Sequence, residues 1–281
     1  METTILTEQK VLLFRRQLQE EERSPATIEK YLREVRQFSR WMAHASVTKE
    51  AVLQWKEHLI HQGYQPSTIN GKLTSLDQLF RVLGWKGLGV KHLRLQQKMF
   101  RDSVRELSRG EYTRLIRAAQ ESGQEKTALL MESICATGIR VSEVRYLTVE
   151  AAQQGKAEIS LKGKIRTILL PGKLCRKLLK YAQKQKIPAG EIFLREDGKG
   201  LSRQQIWGRM KRLCQRAAVP PQKVFPHNLR HLFALAFYQS CRDVAKLADV
   251  LGHSSMETTR IYLLSAGAEH SRILERLRLV T

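Results

Sequence analysis

A β-hairpin pattern interrupts a chain whose apolar residues otherwise recur mainly at helical spacing. Between residues 157 and 171, apolar and polar residues alternate on both sides of a Lys-Gly-Lys turn at 162–164. Alternation around a short glycine-containing turn is typical of two antiparallel strands. We expect a short strand at 191–194 to complete the sheet. The sequence therefore predicts a mainly α protein with a small β-sheet.

The first 88 residues carry the signals of a small helical domain. Ser24-Pro25, a serine N-cap followed by proline, is a strong helix start, and apolar residues recur at helical spacing up to Met42. Two more helices are predicted, at 48–60 and 66–83. The region has no carboxylate cluster, metal-ligand spacing or glycine-rich phosphate loop, which favours a binding or clamping role.

The remaining sequence predicts a linker and a second, larger domain. Residues from about 86 to 105 contain two glycines and then many basic residues, with poor periodicity, so we expect a linker at 89–105 to join the two domains. A capping box formed by Ser108 and Glu111 opens a helix that runs to about residue 120. The other helices predicted in the domain 106–281 cover about 127–136, 202–217, 226–240, 243–251, 256–264 and 268–277.

The charge of the chain points to a polyanionic partner. Lys and Arg total 49 against 27 Asp and Glu, which gives a net charge of +22. Such a charge opposes compaction through self-repulsion, so it usually serves to bind a polyanion. The basic residues are spread along the chain, which favours a folded basic surface. Double-stranded DNA is the first candidate. A membrane is not expected as a partner, because no apolar stretch approaches the ~20 residues of a membrane span.

Cysteine usage and the N-terminus indicate a cytoplasmic location. The four cysteines (Cys135, Cys175, Cys214 and Cys241) are far apart and form no CxxC pair. We expect buried packing thiols rather than a zinc site or a disulfide framework. The N-terminus lacks the basic start and cleavage site of a signal peptide. A basic protein of this kind is expected to be associated with the nucleoid.

Four short patterns in the second half carry groups suited to phosphate chemistry. They are Arg140 with Glu143 three residues on; the hairpin lysines Lys162 and Lys164; His227 and Arg230 in the first turn of a helix that starts at Pro226; and His253, after Gly252, followed nine residues later by Tyr262. Each pattern alone is more often structural: a surface arginine, a solvated turn, a capping histidine or a packing tyrosine.

Together the four patterns suit a pentavalent phosphorane. That species spreads negative charge over its non-bridging oxygens, and cationic donors aimed at the charge supply the main electrostatic stabilisation. A tyrosine can attack phosphorus directly and form a covalent intermediate. No Asp/Glu cluster that would hold two magnesium ions is seen in the sequence, so we expect neither a metal nor another cofactor.

These motifs resemble those of a known family. In order and spacing, ATGIRVSE, LKGKIRTILLP, HNLRH, LGHSS and TTRIY resemble the catalytic motifs of the tyrosine recombinases, the phage-integrase family, over roughly residues 105–265. The stretch SPATIEKYLREVRQF is similar, less specifically, to that family's core-binding domain. The resemblance implies an N-terminal helical core-binding domain followed by an α+β catalytic domain, in a compact form without a further arm-binding domain.

The resemblance also implies roles for the matching residues. Arg140, Arg230 and His253 would hold the scissile phosphate, and Glu143 would orient Arg140. Tyr262 would form a 3′-phosphotyrosyl linkage. His231 and Arg260 would be supporting residues.

Two further residues would move protons. His227 would take the proton of Tyr262, and Lys162 would protonate the leaving 5′-oxygen. The hairpin tip is shorter than the family's common form, so Lys164 is the alternative acid.

The implied activity is site-specific recombination without ATP or a divalent cation. Two protomers would bind inverted half-sites, and a homotetramer would exchange strands in the synapse, with accessory directionality proteins as further partners. The apolar C-terminal helix that includes Leu274 and Leu277 would either pack on its own domain or dock on a neighbouring protomer. The compact size and the hairpin variant favour an enzyme of a mobile element.

Two alternatives to a recombinase are kept. One is another tyrosine-based DNA enzyme, such as a type IB topoisomerase or a telomere resolvase. The other is a DNA-binding regulator with a vestigial catalytic set, although all six expected residue types are present.

Overall fold

The protein is a mainly α-helical molecule with a small β-sheet, as the sequence predicts. The structure is a computed structural model and describes residues 4–43, 45–95, 105–161, 164–253 and 255–260. The chain divides into two compact units, residues 1–97 and residues 98–281. Each unit has a hydrophobic core of its own. Within the described ranges, no helix is long and apolar enough to cross a membrane.

The described part of the first unit contains four helices. They are α1 (Glu8–Glu20), α2 (Pro25–Trp41), α3 (Lys49–His61) and α4 (Pro66–Leu83). The hydroxyls of Ser24 and Thr48 cap α2 and α3 by accepting backbone N–H groups in the first turn. α4 ends at Gly84, whose φ of +69° closes the helix in the left-handed conformation. The three helices predicted in this region are confirmed, whereas α1 was not predicted.

The core of the first unit is formed by apolar side chains from all four helices. Phe14, Phe38, Leu59 and Leu79 are completely buried. The chain after α4 stays in contact with this unit, because the Asn70 side chain exchanges two hydrogen bonds with the backbone of Leu93, at 2.9 and 2.8 Å. The first residues of the segment predicted as a linker therefore pack on the helical unit.

The second unit combines eight described α-helices with two strands and two short 3-10 helices. In chain order these are α5 (Arg109–Glu121), α6 (Glu125–Thr137), a 3-10 helix (Val141–Tyr146), α7 (Val149–Gln154), β1 (Lys156–Leu161), β2 (Lys164–Leu169), α8 (Gly172–Lys184), α9 (Arg203–Arg212), a 3-10 helix (Pro221–Lys223), α10 (Pro226–Cys241), α11 (Val244–Leu251) and α12 (Met256–Arg260). The capping box predicted for Ser108 and Glu111 opens α5.

α6 is the central helix of this unit. It packs against α5, α8, α9 and α10. Most of its residues are buried, including Leu130, Met131 and Ile134. A helix surrounded by other elements must be apolar on most of its faces, and this composition explains its weak amphipathic pattern. The end of α6 is therefore held firmly where the next residues enter the candidate site.

The predicted hairpin is confirmed. β1 and β2 pair in antiparallel register from Lys156 opposite Leu169 to Leu161 opposite Lys164. Ile159 faces the core, whereas Leu169 lies exposed on the outer face. One face of the hairpin is therefore fixed against the body of the unit.

The predicted strand at 191–194 is wrong, since the described residues form a two-stranded sheet. Glu191 makes only an isolated bridge to Thr148. Ile192 and Phe193 are both buried in the core. Because the consecutive side chains of Ile192 and Phe193 both pack into the core, this segment does not pair with β1 or β2 as a third strand.

Some helix boundaries and one cysteine also differ from expectation. α7 and α8 were not predicted, and α9 ends at Arg212 rather than near 217. After Arg212 the backbone continues in turns that lead to Ala218, whose φ is +48°. Cys175 and Cys214 are buried as expected and Cys135 is partly buried, but Cys241 is exposed at the end of α10. A thiol in the last turn of a helix at the surface has no core to pack into.

Candidate active site

Arg140 is placed by the turn that ends α6. Gly138 has a φ of +65°, and a Cβ added there would collide with the ring of Phe233, so the turn requires glycine. Arg140 is the N-cap of the 3-10 helix that follows. Its backbone N–H donates to Glu143 Oε2 at 2.7 Å, and its Nη1 donates to Glu143 Oε1 at 2.9 Å. Arg140 and Glu143, which are three positions apart in the sequence, are therefore in direct contact.

Glu143 holds a second arginine as well. Its side chain is only 2% exposed, and Oε2 also accepts from Arg166 Nη2 at 2.6 Å. Burial lowers the pKa of the Arg166 guanidinium, while Glu143 opposes that effect. Arg166 is not among the site residues predicted from the sequence. The available signal was a charged residue at an inward-facing strand position next to buried Ile168.

Arg230 is buried at the start of α10. It is 2% exposed. Nη1 donates to the carbonyl of Gly138, and Nη2 donates to the carbonyl of Leu251 at 2.7 Å. Nη2 also lies 2.9 Å from Nε2 of His253. Arg230 therefore connects the end of α6, the end of α11 and His253.

His253 follows the glycine that ends α11. Arginine has only donors, so Nε2 of His253 accepts from Arg230 and the neutral imidazole carries its proton on Nδ1. Nδ1 lies 2.9 Å from Oγ1 of Thr259, which is fully buried in α12. Thr259 therefore fixes the orientation of the His253 ring, a role that is not predicted from the sequence.

The carbonyl oxygens at the C-terminus of α11 accept hydrogen bonds from three arginine side chains. The Leu251 carbonyl accepts from Arg166 and Arg230, and the Gly252 carbonyl accepts from Arg140 Nη2 at 3.1 Å. The C-terminal end of a helix carries partial negative charge, which favours cations at this position. One helix end thus draws together three arginines that are distant in the sequence.

Four of the predicted site residues line a single cleft of about 600 Å³. They are Arg140, His227, Arg230 and His253. α9 lines the same cleft with Arg203, Gln204 and Trp207. These three residues are not among those predicted from the sequence, although a tryptophan on the polar face of a basic helix is a signal for a binding surface. Trp207 is 50% exposed, and the ammonium group of Lys211 lies 5.1 Å from the centre of its ring.

The cleft is lined by arginines that disfavour protonation of its two histidines. Burial, followed by Arg230 and Arg140, lowers the pKa of His253 to about 4. Burial and the same two arginines also lower the pKa of His227. Cations clustered in this way disfavour an added proton and favour a bound anion. The described residues contain no group of three or more His, Cys, Asp or Glu side chains that could hold a metal ion.

Three predicted site residues are not placed by these contacts. Lys162 and Tyr262 lie outside the described residues. Lys164 is the first residue of β2, and its side chain is likewise outside the described part. The C-terminal helix predicted at 268–277 also falls outside it.

Two family models match the sequence. Residues 105–269 match the phage integrase family, and residues 11–87 match the N-terminal SAM-like domain of phage integrases. The first match covers more than half of the chain and includes every residue predicted to take part in catalysis. The second match covers α2, α3 and α4 completely.

Individual proteins match over nearly the full length. Tyrosine recombinase XerA of Thermococcus kodakarensis is 28% identical over 272 residues, which cover 92% of this chain and 93% of XerA. A lambda integrase fragment (75–356), solved as a dimer bound to a COC′ core site, is 16% identical, with a TM-score of 0.73 and coverage of 91% and 94%. The XerH site-specific recombinase, in a pre-cleavage complex with difH, is 17% identical, with a TM-score of 0.67 and coverage of 94% and 88%. The two structural matches show a shared fold.

Proposed function

The chain belongs to the phage integrase family and is a site-specific tyrosine recombinase that cleaves and rejoins DNA, and from this premise we propose that its cationic cleft holds the scissile phosphate. The observation that supports the proposal is the convergence of Arg140, His227, Arg230 and His253 on one cleft. These residues come from three segments of the sequence, and Arg140 and His253 are 113 positions apart.

The two arginines neutralise the charge of the phosphate and its phosphorane, and His253, which is neutral, helps to hold the group in place. Guanidinium groups suit this task because they remain charged and donate two parallel hydrogen bonds to phosphate oxygens. Arg140 and Arg230 are already oriented by Glu143 and by backbone carbonyls. Such preorganised donors need little rearrangement when negative charge develops.

Tyr262 is the proposed nucleophile. Its phenol oxygen forms a bond to phosphorus while the bond from phosphorus to the 5′-oxygen breaks, which leaves a 3′-phosphotyrosyl linkage. His227 takes the phenol proton, and Lys162 gives a proton to the leaving 5′-oxygen, with Lys164 as the alternative acid. Attack by the 5′-hydroxyl of another strand reverses these steps. One phosphodiester replaces another, so the reaction requires no ATP.

DNA is the partner on which the family acts, and the assembly on it is part of the proposal. Two protomers bind inverted half-sites, and four form the synapse in which strands are exchanged. The predicted C-terminal helix docks on a neighbouring protomer. Accessory directionality proteins act with the enzyme. We also propose that a mobile element encodes it and that it is located on the nucleoid. The net charge of +22 supports binding to long stretches of DNA.

A suicide substrate tests the proposal. A nick placed close to the cleavage site lets a short fragment diffuse away and traps the covalent intermediate. Tyr262→Phe should abolish the adduct and leave DNA binding intact, whereas Tyr238→Phe, on α10, should still form it. An adduct that persists in Tyr262→Phe would show that another residue is the nucleophile.

A relaxation assay tests the topoisomerase alternative. A supercoiled plasmid that lacks the recombination site should remain supercoiled with this enzyme. Rapid relaxation of such a plasmid would favour a type IB topoisomerase, because that activity needs no specific site.

A further inference from the structure

Arg166 contacts two of the segments that hold the cations of the cleft, yet it is not among the described residues that line the cleft. It lies on β2 and points inward, with its side chain 16% exposed. An arginine is rarely buried unless its charge is paired. The contacts of its guanidinium group therefore indicate what it does.

The guanidinium group bridges the segment after α6 and the end of α11. Nη2 donates to Glu143 Oε2 at 2.6 Å. Nη1 donates to the carbonyl of Leu251 and lies 3.4 Å from the carbonyl of Val250. One rigid group thus contacts both the carboxylate that holds Arg140 and the turn that leads to His253.

Glu143 depends on this bridge for its orientation. Its Oε1 accepts from the Arg140 side chain, and its Oε2 is shared between the Arg140 backbone and Arg166. A carboxylate with donors on both oxygens is fixed in its plane. Without Arg166, the Oε2 atom would lose its only described side-chain donor, and Arg140 would be oriented less precisely.

The backbone at Gly252 lies directly against the side chain of Arg166. A Cβ added at Gly252 would collide with Cδ, Cζ and Nη1 of Arg166. The turn therefore packs directly against the guanidinium plane. A lysine could not reproduce this contact, because its single ammonium group lacks the planar fork that reaches two acceptors at once.

We infer that Arg166 is a positioning residue for catalysis: it fixes Arg140 through Glu143 and fixes the turn that presents His253 and accepts Arg230. The inference rests on the proposed function of Arg140 and Arg230 as the groups that hold the scissile phosphate. Displacement of a catalytic group by about 1 Å can cost roughly 100-fold in rate. Arg166 therefore acts on the rate of cleavage without touching DNA.

The test compares two substrates for each variant. One is a suicide substrate with the natural phosphate at the cleavage site, and the other carries a methylphosphonate there. Replacing a non-bridging oxygen with a methyl group removes one negative charge, so correct placement of the cations matters less. The measured quantity is the ratio of the two single-turnover cleavage rates. This ratio is independent of the fraction of enzyme that is folded.

Arg166→Ala should cleave the phosphate roughly 100-fold more slowly than the wild type and the methylphosphonate with a much smaller deficit. Arg166→Lys should fold even if the alanine variant does not, and it should shift the ratio in the same direction by a smaller factor. Arg176→Ala removes an exposed arginine from α8 of the same unit and should leave both rates unchanged.

The outcomes separate this inference from the proposed function. Arg140→Ala should also show a much smaller rate deficit on methylphosphonate than on the natural phosphate. Equal deficits on the two substrates would overturn the proposed role of Arg140. A different result would make Arg166 only a structural residue: the rate deficit of Arg140→Ala becomes smaller on methylphosphonate, whereas Arg166→Ala slows cleavage of both substrates by the same factor. Wild-type rates in Arg166→Lys would also overturn the inference, because a single donor would then suffice.

Discussion

The guanidinium group of Arg140 donates a hydrogen bond to the carbonyl oxygen of Gly252 at 3.1 Å, although the two residues are 112 positions apart. The contact ties the segment after α6 to the turn after α11. Both segments contribute to the same cleft. The geometry of this turn therefore sets the position of a proposed phosphate-binding arginine.

Gly252→Ala should impair both stability and cleavage. The φ of +62° costs a non-glycine residue about 1–2 kcal/mol, and the new methyl group would also push against Arg166. Crowding of this kind adds about 1–3 kcal/mol. Urea unfolding and single-turnover cleavage would measure the two effects.

Gly155→Ala is the matched control. Gly155 has a φ of +71°, but nothing lies within 4 Å of an added Cβ. Its loss of stability should be limited to the backbone strain, and cleavage by the folded fraction should stay normal. Equal losses of stability in Gly252→Ala and Gly155→Ala would mean that crowding against Arg166 does not contribute to the free energy of unfolding.

Glu143→Ala should destabilise the second unit. The change leaves Arg166 and Arg140 facing each other without their shared carboxylate, and removing one partner of a buried ion pair typically costs about 3–5 kcal/mol. Arg140 is 40% exposed, which places the expected loss near the lower end. Denaturant unfolding measures it. Glu158→Ala, on the exposed side of β1, should change stability by less than about 1 kcal/mol.

The neutral state of His253 makes stability depend on pH. Its pKa is about 4 in the folded protein, below the ordinary value of 6.5. Between about pH 4 and pH 6.5 the unfolded chain therefore binds more protons, and the free energy of unfolding falls as the pH is lowered through this window.

His253→Gln should weaken this pH dependence. Unfolding curves for the wild type and the variant, measured from pH 7.5 down to pH 4.5, give the difference in slope. The two slopes should agree above pH 7, where the imidazole is neutral in both states. Parallel curves at acidic pH would show that His253 is not protonated on unfolding in this range.

DNA affinity should fall steeply with salt. A clamp that contacts several phosphates releases condensed counterions, so affinity should drop roughly 1,000-fold or more between about 50 and 200 mM salt. Fluorescence anisotropy on a labelled duplex gives the slope. A nearly flat dependence would contradict extensive phosphate contact by this basic chain.

Local signals in the sequence were sufficient for many elements of the fold. Helices that begin with Ser24-Pro25 or with Ser108 were predictable because their caps are encoded within a few residues. α1 was missed, although Val11, Phe14 and Leu18 are buried at helical spacing, because the exposed Leu12 and Leu13 obscure the pattern.

α8 was also missed, although its apolar face was visible in the sequence. Leu174, Leu178 and Tyr181 are buried at helical spacing, and Pro171 precedes the helix. The spacing of these apolar residues and the preceding proline therefore encode α8 locally.

The site was predictable only in part, because its contacts join distant segments. The spacing of Arg140 and Glu143 gave their contact, since it lies within one turn. The contacts of Arg230 with Gly138 and of Arg166 with Leu251 join residues 92 and 85 positions apart. Local patterns cannot encode such pairings, so the partners of Arg166 and Arg230 required the folded structure.

Mapping the residue that becomes attached to DNA tests the central claim most directly. Trypsin cleaves after Arg260 and Arg272, and the peptide between them contains one tyrosine, Tyr262. Mass spectrometry of the trapped adduct should find a nucleotide joined through its 3′-phosphate to Tyr262, in a yield that collapses in Arg140→Ala and Arg230→Ala. A nucleotide on any other residue, or an undiminished yield in both arginine variants, would contradict the account.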